Sequence, residues 1–348
     1  MRKPLLLLPL AALALALPSL APSAREQLKQ PSVLNLGASG AIHDTILRSD
    51  RRTLAQPAQD FWGGTYTTTT NEQVKVFASR TAYPEDQATG LKWANFLASL
   101  VHGPELSSVT IFLESPSEIR TTCGDSALAC YSPGRESIYT IGTDPPLPNV
   151  TAEAVLTHEY GHHVASHRVN DPWEAVDWGT KRWASYENVC SRTRAKELWP
   201  GAENAQHYMK NPGEGFAETY RVLNQRKLGV PEMPWQIVTM SLYPNATALS
   251  LVQQDVLQPW TGPTTRTLTG TVRARETRSV VVKTPLDGMF RAQVAGRGKF
   301  KLGVFAPSGR RLASGGTSAA TTVCGQRALR VRIGAQKTAS YRLTVSRP

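Results

Sequence analysis

The chain has 348 residues, 41% of them hydrophobic and 19% charged, with a mean hydropathy of -0.29. That apolar share is enough for a packed core and excludes a wholly disordered chain, a collagen and a polytopic membrane protein. The net charge of +12 is unevenly spread: residues 265–348 carry 17 Lys/Arg against 2 Asp/Glu, whereas residues 1–264 carry 22 against 25. So sharp a shift reads as a domain boundary.

The first residues are Met-Arg-Lys, followed by Leu, Ala and Pro alone from Leu5 to Leu17 and then small residues through Ala24. A basic start, a short apolar run and a small-residue end describe a secretory signal peptide over 1–24. The run is too short to span a bilayer, so the mature chain is expected to be exported, without a transmembrane segment. Four cysteines suit an oxidising compartment. Cys123 and Cys130 flank a short polar loop and are expected to pair. A Cys190–Cys324 bridge would staple the basic tail to the first part, but four cysteines allow three connectivities.

Residues 25–60 lack periodicity and read as a linker or pro-segment. Residues 65–78 are rich in Thr, Tyr and Val, with Asn71-Glu72 at the middle, which predicts a hairpin. Leu91, Trp93, Ala94, Leu97, Leu100 and Val101 recur at helical spacing. Val109–Leu113 and Ser137–Ile141 are short apolar strands. A helix starts near Thr151, a fair N-cap with Glu153 in its first turn. Another is framed by Asn211 as N-cap, Pro212 at the first position, and Gly229 with Pro231 at its end. One more helical stretch lies within 236–260. Beyond residue 265, β-type runs separated by Gly-containing turns suggest a small β-sandwich.

The chemistry concentrates in His158-Glu159-Tyr160-Gly161-His162. On a helix, positions i and i+4 lie about 40° apart around the axis, so both imidazoles face one way and can bind a single Zn²⁺. Glu159, beside the first ligand, can act as a base without ligating. Gly161 leaves room at the metal. His163 and His167 fall on another face and read as packing or surface residues. A third His at the long spacing is absent, because residue 165 is Ala and residue 168 is Arg. The third ligand should therefore be a downstream acid. Glu214 and Glu218 are four apart on the well-framed helix; one can ligate zinc while the other braces a histidine.

HEYGHHV followed by NPGEGFAETY resembles the gluzincin zinc metallopeptidases. The resemblance covers about residues 60–230 and implies Glu214 as third ligand beside His158 and His162, with Glu218 behind them. It also implies one zinc per chain and a zincin-like α+β domain over 61–262. Zincins present an edge strand to an extended substrate just before the metal helix, and Ser137–Ile141 would fill that place. The implied reaction is endopeptidic hydrolysis by zinc-activated water, with Glu159 as general base. Tyr208 and His207 are candidate oxyanion donors, although surface placement is the plainer reading of each. The tail resembles the pre-peptidase C-terminal domain, through Phe305-Ala-Pro-Ser-Gly309 and Tyr341-Arg-Leu-Thr-Val345. Its basic face over 265–348 could hold an anionic cell-surface polymer, though a solvated face needs no partner. No aromatic interleaving favours nucleic acid. The rival reading is a non-catalytic secreted protein on a zincin fold that works through this basic tail.

Overall fold

The computed structural model describes residues 44–48, 61–145, 147–204, 206–234 and 239–348; residues 1–24, expected to be a signal peptide, and 25–60 apart from 44–48, lie outside them. The Thr-rich stretch forms a hairpin, β1 (Phe61–Thr67) antiparallel to β2 (Gln73–Ser79). Asn71 in its turn holds a φ of 65°, a left-handed conformation that Asn tolerates better than most residues. Asp86 caps α1 (Gln87–Ser99), accepting from the Ala88 N–H, and the helix buries Trp93, Ala94 and Leu97. Then follow β3 (Thr110–Glu114), α2 (Pro116–Cys123), β4 (Ala129–Ser132) and β5 (Ser137–Ile141). A capping box between Ser115 and Glu118 starts α2, and the expected Cys123–Cys130 disulfide ties its end to β4.

These strands form a mixed five-stranded sheet in the order β1-β2-β3-β5-β4. β2, β3 and β5 run parallel, and β4 runs antiparallel to β5. This corrects the expectation that Ser137–Ile141 is the edge strand. β5 is fully buried between β3 and β4, and the edge is β4. A run such as SIYTI, with an apolar residue on each face and only small hydroxyls between, suits an interior strand.

The metal-motif helix is α3 (Ala152–Ser166), capped by the Thr151 hydroxyl accepting from the Ala154 N–H. It packs against β4 and β5 on one side and α7 on the other, so it is buried nearly all round. The short elements β6 (Val169–Asn170), β7 (Trp173–Glu174), α4 (Ala175–Trp178), α5 (Lys181–Tyr186) and α6 (Val189–Arg194) lead to α7 (Pro212–Leu228) and α8 (Ala246–Leu257). α7 begins and ends where its framing residues predict: Asn211 accepts from the Gly213 N–H, Pro212 is first, and Gly229 stops it at a φ of 67°.

The tail contains β8 (Thr264–Val272), β9 (Thr277–Lys283), β10 (Gly288–Ala295), β11 (Phe300–Phe305), β12 (Arg311–Gly315), β13 (Ser318–Val323), β14 (Ala328–Ala335) and β15 (Ala339–Arg347). They make two four-stranded antiparallel sheets, ordered β13-β10-β15-β8 and β12-β11-β14-β9. Phe290, Val294, Leu302, Val331, Ile333 and Leu343 share one apolar core between them, separate from the main core around Trp93, Trp183, Tyr160 and Phe216. The architecture is thus α+β, with a mixed sheet and helices followed by antiparallel sheets.

Cys190 at α6 is bonded to Cys324, just after β13, so the second bridge does join the tail to the helical part. Around it, Asp287 donates its N–H to Ser185 Oγ at 2.9 Å, and Arg327 spans Asp287 Oδ1 at 2.6 Å and Ser185 O at 2.5 Å. The bridge closes a sequence separation of 134 residues. Replacing both cysteines with alanine should therefore cost about 2–5 kcal/mol, read as a lower thermal midpoint. An unchanged midpoint would mean that the Asp287–Arg327 contacts hold the junction without it. Two disulfides fit an oxidising, extracellular setting. Among the described residues, no helix is long and apolar enough to cross a membrane.

Candidate metal centre

α3 and α7 lie side by side, and this contact brings the motif histidines to the downstream acids. Gly161 makes the approach close enough: a Cβ there would stand 2.9 Å from the Ala217 Cα. The glycine therefore clears the path of a helix rather than space at the metal, a correction to its sequence reading. An alanine would force α7, and Glu214 with it, away from α3.

Four side chains converge: Asp44, His158, His162 and Glu214, all buried. His158 Nε2 lies 2.9 Å from Asp44 Oδ2, 3.2 Å from Glu214 Oε2 and 3.2 Å from His162 Nε2. His162 Nε2 is 3.1 Å from Asp44 Oδ2 and 3.3 Å from Glu214 Oε2. Donors on a tetrahedral zinc ion, with bonds of about 2.0–2.2 Å, would stand roughly 3.3–3.6 Å apart. The observed spacings are a few tenths shorter, so the cluster fits a small ion after slight expansion. Two imidazoles and two carboxylates are also a donor set that divalent metals accept.

The electrostatics agree. Burial opposes charge on both imidazoles, yet Asp44 and Glu214, with Glu218 behind His158, outweigh it. His158 is held well above the ordinary histidine value, and His162 is pushed up to about 10. A pocket that holds protons so firmly is one whose field favours a cation. Glu159 is buried beside it. Burial, with the neighbouring Asp44 and Glu214 carboxylates, pushes its carboxyl well above the usual range, against the pull of His158 and His162. Its Oε2 has no hydrogen-bond partner among the described residues, and neither does His162 Nδ1. Buried polar atoms are seldom left so.

The second acid of α7 stands behind the first histidine. Glu218 Oε1 lies 3.0 Å from His158 Nδ1, which fixes Nδ1–H as the donor and turns Nε2 toward the cluster. Arg221 in turn grips Glu218 with two bonds, at 2.8 and 2.7 Å. Burial works against charge on Glu218, but Arg221 and then His158 hold its carboxyl down at about 2. Such outer partners tune affinity by orienting the ligand. Glu218→Gln should weaken metal binding about 10–100-fold in competition with a chromophoric chelator. Unchanged affinity would mean that packing alone orients His158.

The structure thus brings together His158, His162, Glu214 and, behind them, Glu218, with Glu159 alongside. Tyr208 is buried at the site rather than on the surface: its hydroxyl donates to Asp44 Oδ1 at 3.2 Å and approaches Glu214 Oε2 at 3.4 Å. Burial and those two carboxylates push its pKa well up, so it keeps its proton. His207 instead stacks on Trp199, ring centroids 4.3 Å apart. His163 packs into the helix surround, 2.9 Å from Glu105 O and 3.1 Å from the Tyr131 hydroxyl. Sequence reasoning missed Arg221, which its spacing of three from Glu218 could have revealed. It also missed Asp44, which lies in the aperiodic stretch at 25–60 and bears no local signal.

No protein family matches the chain, and no curated protein matches it significantly. Solved structures match it over short stretches. A mitogen from Yersinia pseudotuberculosis is 12% identical with a TM-score of 0.22, the match covering 25% of this chain and 87% of the mitogen. The periplasmic inhibitor of g-type lysozyme from Aeromonas hydrophila is 15% identical with a TM-score of 0.21, covering 26% of this chain and 91% of the inhibitor. A de novo designed double-stranded β-helix is 20% identical with a TM-score of 0.17, covering 23% and 97%. Likenesses this slight carry no argument about fold or function.

Proposed function

We propose that the protein is a secreted zinc-dependent endopeptidase of the zincin type. The observation that carries this reading is the buried cluster of His158, His162 and Glu214 with the unpartnered Oε2 of Glu159 beside it. In this reading His158, His162 and Glu214 hold one zinc ion. When bound, zinc activates water and polarises a carbonyl. Glu159 Oε2 takes the proton from the attacking water and delivers it to the departing amine. Tyr208, protonated and at the cluster, is placed to donate to charge developing on the substrate oxygen. The outer edge of β4, which Ile46 and Leu47 cover at Tyr131, would align an extended peptide by main-chain hydrogen bonding once uncovered.

A second reading draws on Asp44. Four protein donors close a tetrahedral site, and closed sites are commonly structural. The protein would then be a non-catalytic binder whose basic segment, residues 265–348, attaches to anionic surfaces.

The test is to load the full chain with zinc, both wild type and Asp44→Ala, and to incubate each with a mixture of denatured proteins. Mass spectrometry then counts new termini. The peptidase reading expects termini that disappear with 1,10-phenanthroline and return with zinc. If neither chain produces metal-dependent termini, the peptidase reading fails and the binder reading stands.

A further inference from the structure

The five residues 44–48 form a strap that reaches the metal cluster from outside the helix pair, and its contacts are of three kinds. Asp44 supplies the fourth donor, with Oδ2 at 2.9 Å from His158 Nε2 and 3.1 Å from His162 Nε2. Tyr208 fixes it at both ends, donating to Oδ1 at 3.2 Å and accepting from the Asp44 N–H at 3.2 Å. Ile46 then makes a parallel bridge to Tyr131 of β4, and the Leu47 N–H donates to Tyr131 O at 2.9 Å. Finally Arg48 pairs with Asp177 and reaches Glu203.

We infer that Asp44 is a displaceable fourth ligand, and that the strap holds the site latent by covering both the metal and the β4 edge; this rests on the peptidase reading above. Two observations point the same way independently. The carboxylate stands where a catalytic site keeps its open position, and the backbone at Ile46 and Leu47 pairs with the strand edge that an extended peptide would use. One bridge and one carboxylate therefore block both halves of a substrate site.

Charge makes the ligand exchangeable. Asp44 and Glu214 together neutralise a divalent ion, so the closed site is balanced. Removal of Asp44 leaves one uncompensated positive charge facing the cleft, which favours an incoming anion or a polarisable carbonyl. The outer anchor is an ion pair at the surface: Arg48, its side chain 39% exposed, holds both carboxylate oxygens of Asp177. The tight part is Ile46, which is 3% exposed in the main core. Among the described residues, release means withdrawing the Asp44 carboxylate and the Ile46 side chain and breaking the Leu47 backbone bond and the Arg48 pair.

The test uses the full chain loaded with cobalt(II) in place of zinc, as wild type, Asp44→Ala and Arg48→Ala. Acetohydroxamate, a small anionic chelating ligand, is the probe of metal access, followed by the visible cobalt spectrum. A latent site lowers apparent affinity by the fraction of time it is open. Asp44→Ala should shift the cobalt spectrum, bind acetohydroxamate at least about tenfold more tightly, and raise peptide cleavage similarly. Arg48→Ala should give a smaller gain in probe affinity without a spectral shift in its absence. If Asp44→Ala leaves spectrum and probe affinity unchanged, Asp44 is no ligand and the inference is overturned, whatever the chain cleaves. If the variant cannot hold metal at all, Asp44 is a permanent structural ligand and the inference is likewise overturned. If probe affinity rises but no chain cleaves any peptide, the displaceable ligand stands and the peptidase reading fails. Should Asp44→Ala not fold, the isosteric Asp44→Asn decides: an unchanged cobalt spectrum and unchanged probe affinity reject the latch.

Discussion

Glu214→Ala should strip the metal from a protein that still folds. Wild type is expected to carry about one zinc per chain by elemental analysis, and the variant far less after the same dialysis. Structural zinc sites release about 10–16 kcal/mol on binding. One donor of four thus accounts for roughly 2.5–4 kcal/mol, or about 10²–10³ in affinity. The loss should exceed that for Glu218→Gln, because Glu218 acts on the ion only through His158. The fold should persist because Phe216, Ala217 and Tyr220 of α7 stay buried in the main core. Outside the cluster, where it meets His158 and His162, Glu214 makes only long contacts to Tyr208 and Asn211, at 3.4 Å each. Zinc retained at wild-type affinity would remove Glu214 from the ligand set and leave Asp44 with the two histidines. A fall in circular dichroism parallel to the loss of metal would mean that the ion holds α7 in place.

Glu159→Gln should do the reverse, keeping the metal and abolishing turnover. The amide has the shape of the carboxyl but cannot take a proton, so the loss should be about 10²–10⁴-fold in cleavage rate. The comparison is best made in the Asp44→Ala background, where the strap no longer competes. Metal content should be unchanged, since Glu159 makes no contact with the ion's donors that a carboxamide would lose. Stability should hold or rise, because a buried carboxyl beside the Asp44 and Glu214 carboxylates is a charge that the fold resists. A variant cleaving at the parent rate would end the role of Glu159 as base. A variant that loses zinc would move Glu159 into the ligand set.

Much of this was determined by the sequence alone, and where it was, the determinants were local. Asn211, Pro212 and Gly229 bound α7 because caps act on backbone groups within one turn. His158 and His162 share a face because helical periodicity requires it. Of the acids four apart on α7, Glu214 joins the cluster and Glu218 stands behind His158, the arrangement that the resemblance implies. Both disulfides were within reach of cysteine arithmetic, although only proximity in space could pair Cys190 with Cys324.

The tertiary structure decided the rest. Strand order is one such matter: SIYTI carries an apolar residue on each face whether it lies at an edge or inside, and only the insertion of β4 makes it interior. The pairing of β8 to β15 into two sheets is likewise tertiary, since a strand's alternation marks its buried face without naming its partner. Gly161 was legible as a glycine kept within a helix, but the neighbour it accommodates is Ala217 of α7, distant along the chain and in contact only in the fold. Tyr208 is buried by carboxylates from two segments that no window of sequence contains. Asp44 is the clearest case. Nothing around it has period, cap or motif, because its role comes from a strap crossing 114 residues of sequence to meet His158. Local rules cannot encode a ligand brought by chain reversal; the packed fold supplies it, since a buried cation pocket must gather its negative charge from whichever segments reach it.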